Sequence, residues 1–133
     1  MSKTILIADD AVHIRILLEQ TLEDFEDAGV ELLSASDGLE AWEVVQVKRP
    51  DLLILDVMMP GLSGYEVCQR LKGDPSLAHA YVIMLTAKGQ AKDHERGIQV
   101  GADEYVTKPF NPRHLVKRVA EVLHVQVSSS LLR

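Results

Sequence analysis

Cysteine is almost missing: Cys68 is the only one in 133 residues. That excludes a disulfide framework and a cysteine metal site, and it fits a reducing compartment. Cys68 itself reads as a helix-interior residue without a redox role. Positive charge is also short, with a net charge of −6. This argues against sequence-independent binding to nucleic acid or to anionic membranes. Long apolar runs are absent. Ile5-Leu6-Ile7-Ala8, straight after Met1–Thr4, is far too short for a signal peptide or a membrane span, so the expected location is cytoplasmic. There are no repeats, and Ser128-Ser129-Ser130 is the only biased segment. A P-loop is absent, and so is a Ser/Thr/Gly-rich phosphate loop after the first apolar run.

What is present suits one soluble domain: 47% hydrophobic and 26% charged residues. A chain this long buries roughly two-thirds of its unfolded surface. The organising stretch is Leu52-Leu53-Ile54-Leu55-Asp56. Four consecutive apolar residues predict a strand covered on both faces. A carboxylate is costly inside such a strand, so Asp56 is placed at its carboxyl end, where Pro60-Gly61 turns the chain away. Ser63 has better chemistry than Asp56 for capping the next helix.

Ile5-Leu6-Ile7-Ala8 is a second apolar strand, ending in Asp9 and Asp10. Ile14, Leu17, Leu18, Leu22 and Phe25 then follow helical spacing up to a close near Gly29. Val30–Ala35 mixes polar and apolar residues, as a less covered strand does. Ser36-Asp37-Gly38 starts a helix through Leu39, Trp42 and Val45, which Pro50 ends. Ser63-Gly64-Tyr65-Glu66 matches a capping box for a helix through Val67 and Leu71. Tyr81–Leu85 is a third apolar strand, ending at Thr86. A polar segment from Lys88 leads into a fourth helix, expected over Gln90–Val100 and closed by Gly101. Glu104–Thr107 is a mixed strand ending at Lys108-Pro109. Asn111-Pro112 opens a last helix that buries Leu115, Val116, Val119, Val122 and Leu123.

Strand and helix alternate five times, which predicts an α/β fold with a parallel sheet and helices on both faces. The apolar first, third and fourth strands belong inside and the mixed second and fifth at the edges. Right-handed crossovers then favour a five-stranded, doubly wound, flavodoxin-like sheet of order 2-1-3-4-5, with its ligand at the switch between strands one and three.

Those two strands end in Asp9-Asp10 and Asp56. Two carboxylates 4 Å apart repel by roughly 4 kcal/mol at an effective dielectric near 20. A hard divalent cation relieves this, and oxygen ligands suit Mg²⁺ or Mn²⁺. Lys108 adds an ammonium at the same rim and Thr86 a hydroxyl. The set suits a phosphoryl group beside a nucleophilic carboxylate. Singly, each has an ordinary alternative: Asp9 or Asp10 as a helix cap, Thr86 as a strand residue, Lys108 as a surface lysine.

Together, Asp9-Asp10, Asp56, Thr86-Ala87 and Lys108-Pro109, with the stretch DVMMPGLSG from Asp56 to Gly64, resemble the receiver domain of two-component response regulators. The resemblance covers Lys3 to Leu123. It implies a receiver domain over residues 1–124, with 125–133 a C-terminal tail or the start of a linker. It implies a phosphorylation-activated switch in which Asp56 accepts a phosphoryl group from a sensor histidine kinase or a small phosphodonor. Asp10 would bind Mg²⁺ directly and Asp9 through water, with Asp56 and the Met58 backbone carbonyl completing the protein ligands. Lys108 and Thr86 would contact phosphoryl oxygens, Tyr105 would be the switch aromatic, and Lys108-Pro109 would be cis. Such a domain catalyses its own phosphorylation and dephosphorylation without being a turnover enzyme in the usual sense.

The expected readout surface combines the fourth helix, the fifth strand and the last helix. The fourth helix has few large apolar residues to anchor it, as an element that moves does. The charged Lys92, Asp93, Glu95, Arg96, Arg113 and Arg118 there also fit a plain solvated face. The resemblance further ties phosphoryl lifetime to Met58 and Lys88, two positions beyond Asp56 and Thr86. Methionine cannot orient an attacking water, which implies slow self-hydrolysis. The five histidines show no ligand-like pairing, although His13 could face a kinase, and Trp42 reads as packing.

Two rivals compete. A phosphatase or phosphotransferase of haloacid-dehalogenase type also uses a strand-end aspartate with Mg²⁺, but needs an acid where Met58 stands. A non-phosphorylated pseudo-receiver used as a binding module conflicts with retention of all five rim residues. The output partner or effector domain, and a homodimer formed on phosphorylation, stay open. No direct nucleic-acid binding by this domain and no membrane partner are expected.

Overall fold

The computed structural model describes residues 3–87 and 101–128. Five parallel strands, β1 (Thr4–Ala8), β2 (Glu31–Ala35), β3 (Leu52–Asp56), β4 (Tyr81–Ala87) and β5 (Glu104–Lys108), lie in the order β2-β1-β3-β4-β5. This is the doubly wound arrangement that the strand composition predicts. β1 and β3 are buried throughout, whereas edge strands β2 and β5 are mixed.

The period-two alternation of the apolar strands divides the core into two layers. Leu6, Ala8, Leu53, Leu55, Val82 and Met84 face α3 (Gly38–Lys48) and α4 (Gly64–Lys72), meeting Ala41, Val45, Val67, Cys68 and Leu71. Ile5, Ile7, Leu52, Ile54, Ile83 and Leu85 face the other way. They meet Leu18 and Leu22 of α1 (Val12–Leu22) and Leu115, Val116, Val119 and Leu123 of α5 (Pro112–Leu123). Each fully buried Leu or Ile contributes about 1.5–3 kcal/mol of burial free energy.

The expected starts of α3, α4 and α5 are present. The Ser63–Glu66 capping box forms in both directions, Asp37 accepts from the Glu40 N–H at 2.8 Å, and Asn111 accepts from the His114 N–H with Pro112 following.

Three local expectations need correction. The helix read through to Phe25 breaks at Glu23, and a one-turn α2 (Asp24–Asp27) carries Phe25 into the core. Leu17 is 41% exposed, because Leu18 and Leu22 already fill the contact with the sheet. β4 also runs one residue past Thr86, to Ala87. The fourth helix expected over Gln90–Val100, with Lys88, Lys92, Asp93, His94, Glu95 and Arg96, lies outside the described residues. Past α5, Val125 and Val127 pack against the second core layer, so the chain there lies on the body of the domain. No described helix is long and apolar enough to cross a membrane.

Candidate functional site

Register brings the polar strand ends together. Ala8 pairs with Leu55, so Asp9 and Asp56 leave the sheet side by side. Ala87 pairs with Lys108, which puts that lysine at the same rim, across the end of β4. One carboxylate oxygen from each of Asp9, Asp10 and Asp56 lies within 4.8 Å of the others. Asp9 and Asp56 are buried and Asp10 is exposed. Lys108 Nζ lies 3.0 Å from Asp9 Oδ2 and 3.0 Å from Asp56 Oδ1.

Neither Asp9 nor Asp10 caps α1. The N-cap is Ala11, without a side-chain hydrogen bond. Asp9 Oδ1 instead accepts from the Ala11 N–H at 2.9 Å, and Arg15 donates to the Asp9 carbonyl at 2.8 Å. The second oxygen of Asp9 is buried and ion-paired with Lys108, yet no donor reaches it in hydrogen-bonding geometry. A fully buried carboxylate oxygen with free lone pairs, beside two further carboxylates, fits a hard cation that takes oxygen ligands.

Burial is the main reason the Asp56 carboxyl is pushed up to about 6; the hydrogen bond from Lys108 pulls it down, and the charges of Asp9 and Asp10 push it further up. Burial pulls the Lys108 ammonium down, but its hydrogen bond to Asp56 and its close approach to the Asp9 carboxylate outweigh that and raise it. The site is thus one cation holding two of three crowded carboxylates, at a cost that another positive group would relieve.

Thr86 is buried at the end of β4, next to this pocket in the sheet. Tyr105 is half-buried on β5 against the first core layer. Met58 follows Asp56 in the loop leaving β3 and is 68% exposed. The Lys108-Pro109 bond is cis. Among the described histidines, His13, His79, His114 and His124 are all exposed. Trp42 is half-buried, with the Arg70 guanidinium 5.7 Å from its ring centroid. Cys68 is buried, as read.

Sequence reading missed the backbone packing that fixes the pocket. A methyl group on Gly64 would lie 2.3 Å from the Asp56 carbonyl oxygen. Glycine at a helix start is the available signal, since it marks a close backbone approach.

Residues 5–120 match the response regulator receiver domain model. The chain is 46% identical to the phosphate regulon transcriptional regulatory protein PhoB of Pseudomonas aeruginosa, over 92% of this chain and 52% of that protein. It is 42% identical to the alkaline phosphatase synthesis transcriptional regulatory protein PhoP of Bacillus subtilis, over 92% and 49%. The chain therefore spans about half the length of these relatives. Among solved structures, the chemotaxis response regulator CheY4 of Vibrio cholerae superposes with a TM-score of 0.80 at 34% identity, covering 92% of this chain and 99% of that one. The signal receiver domain of a DNA-binding response regulator from Colwellia psychrerythraea gives 0.84 at 28%, with the same coverage. The chain belongs to the response regulator receiver domains, a family of phosphorylation-activated switches. The haloacid-dehalogenase and pseudo-receiver readings are not favoured.

Proposed function

We propose that Asp56 is the phosphoacceptor of this switch. The observation that carries the reading is the position of Asp56 in a pocket shared with Asp9 and Asp10, against the Lys108 ammonium at 3.0 Å. A carboxylate oxygen of Asp56 attacks phosphorus in line. The bond from phosphorus to the donor breaks and its electron pair leaves with the donor, which is a phosphohistidine of a sensor kinase or acetyl phosphate. Such a transfer asks for positioning and charge neutralisation more than for covalent machinery. Lys108 is already placed to meet a phosphoryl oxygen, and Thr86 donates its hydroxyl to another.

Asp9, Asp10, Asp56 and the Met58 carbonyl would hold Mg²⁺, or Mn²⁺ in its place. When bound, the ion supplies the positive charge that three carboxylates and a phosphoryl group together require. Asp9 is the member with the most to gain, since its buried Oδ2 lacks a well-aligned donor.

Thr86, drawn toward the new phosphoryl group, vacates space that Tyr105 enters, which alters the face formed by β5 and α5. On that face a groove of about 240 Å³ runs between Tyr105, Phe110, His114 and Arg118. Arg118 holds Glu104 at 3.1 Å and the Tyr81 hydroxyl at 2.8 Å. The names and lengths of the PhoB and PhoP relatives support a cytoplasmic receiver that controls an attached transcriptional output.

The test is incubation with acetyl phosphate and Mg²⁺ followed by intact-mass measurement. One hydroxylamine-labile phosphoryl adduct is expected on the wild type and none on Asp56→Asn. A stable adduct on that variant refutes the assignment.

A further inference from the structure

The loop from Val57 to Ser63 carries the Met58 carbonyl, and its shape is set from a separate part of the chain. Its end is tied at α4, where the Gly64 N–H donates to the Val57 carbonyl at 2.9 Å. Its middle is held by the first residues of α3. The Gly38 N–H donates to the Pro60 carbonyl at 3.2 Å. The two backbones approach so closely that a methyl group on Gly38 would lie 1.7 Å from the Leu62 carbonyl oxygen. Next to it, Leu39 covers Gly61: a methyl group there would come within 3.0 Å of Leu39 Cγ. Leu39 is otherwise a surface residue, 54% exposed. Val57 and Leu62 are buried on either side, so the loop has no room to shift as a whole.

We propose that Gly38 is a positioning residue for the cation site: its close contact with Leu62 and its hydrogen bond to Pro60 fix the loop that presents the Met58 carbonyl beside Asp56. The inference rests on the cation reading given above. Its physical basis is that a carbonyl ligand has no side-chain torsion with which to find an ion. Its direction is set entirely by the loop backbone, and the contacts that hold that backbone act on affinity through it. A side chain at position 38 displaces Pro60 and Leu62 and turns the carbonyl away. Loss of the Leu39 side chain loosens the same loop without a clash.

The test is calorimetric Mg²⁺ titration of the wild type, Gly38→Ala, Leu39→Ala and Val47→Ala, with amide exchange followed at Met58, Met59 and Gly61. Val47 is an exposed residue toward the far end of the same helix. The Kd is expected to rise about tenfold in Gly38→Ala, within the range found when groups supporting metal ligands are removed. A smaller rise is expected in Leu39→Ala and none in Val47→Ala, with faster exchange at the loop amides in the first two. A lowered Tm with wild-type Kd in Gly38→Ala is the signature of a merely structural glycine and overturns the proposal. If Gly38→Ala does not fold, Leu39→Ala decides: wild-type affinity and exchange there also overturn it. Failure of the wild type to bind Mg²⁺ refutes the cation reading itself, a result visible before any variant is compared.

Discussion

Lys108 and Asp56, 52 positions apart in the chain, meet at 3.0 Å across the carboxyl end of the sheet. The same ammonium lies 3.0 Å from Asp9, so one positive charge serves two buried carboxylates. The arrangement holds the acidic pocket together and leaves it short of positive charge.

That shortage predicts a pH-dependent stability. The Asp56 carboxyl is raised from 3.8 to about 6, first by burial and then by its acidic neighbours. The folded state therefore binds its proton more tightly than the unfolded state does. The penalty is absent below pH 3.8, grows as pH rises, and is complete above about pH 6, reaching on the order of 2–3 kcal/mol. In EDTA-treated protein, Asp56→Asn is expected to be more stable than the wild type at pH 7.5, with the gain fading toward pH 4. Urea denaturation at both pH values measures this. A variant less stable at pH 7.5 contradicts it.

Cys68 gives a second prediction. Burial pushes its thiol up to about 11. Relative to an ordinary thiol near 9, the thiolate fraction at pH 8 falls by about a hundredfold. A disulfide reagent such as DTNB is expected to react very slowly with the native protein and at once in denaturant. Rapid native modification excludes the buried environment.

Much of the site was readable because it obeys a simple constraint. A run such as Leu52–Leu55 or Ile5–Ala8 excludes a charge from its interior, so Asp9, Asp10 and Asp56 had to lie at strand ends, and strand composition placed those ends together. The capping box at Ser63 was readable because both partners are local. The break at Glu23 and the exposure of Leu17 were not, since helical spacing is equally satisfied by one long helix. Nor was the contact between Gly38 and Leu62, which depends on two distant segments meeting backbone to backbone and leaves only a glycine in the sequence. The double pairing of Lys108 was not legible either, because strand pattern places the rim and not the reach of a side chain.

The domain boundary is testable through Val125 and Val127. Both pack against the second core layer, and the Val125 N–H donates to the Ala120 carbonyl at 3.1 Å. Truncation after His124 removes this half-buried apolar surface and is expected to cost about 1–2 kcal/mol. Denaturation of the two lengths compares them directly, and equal midpoints assign residues 125–128 to a tail without structural weight.

Met58 governs the last prediction, which concerns how long the phosphoryl group survives on Asp56. The residue is 68% exposed, two positions beyond Asp56, and a thioether is too weak an acceptor to align a water for attack on phosphorus. An amide at the same position has both a donor and an acceptor to offer such a water. Met58→Asn is therefore expected to shorten the half-life of the phosphorylated protein by a factor on the order of ten, the kind of gain that orientation alone provides. Because the side chain is exposed, the substitution leaves the core intact, and a matched thermal transition verifies that. Loss of the adduct followed by intact mass in both proteins gives the two rates. Equal rates mean that attacking water is aligned from elsewhere in the pocket.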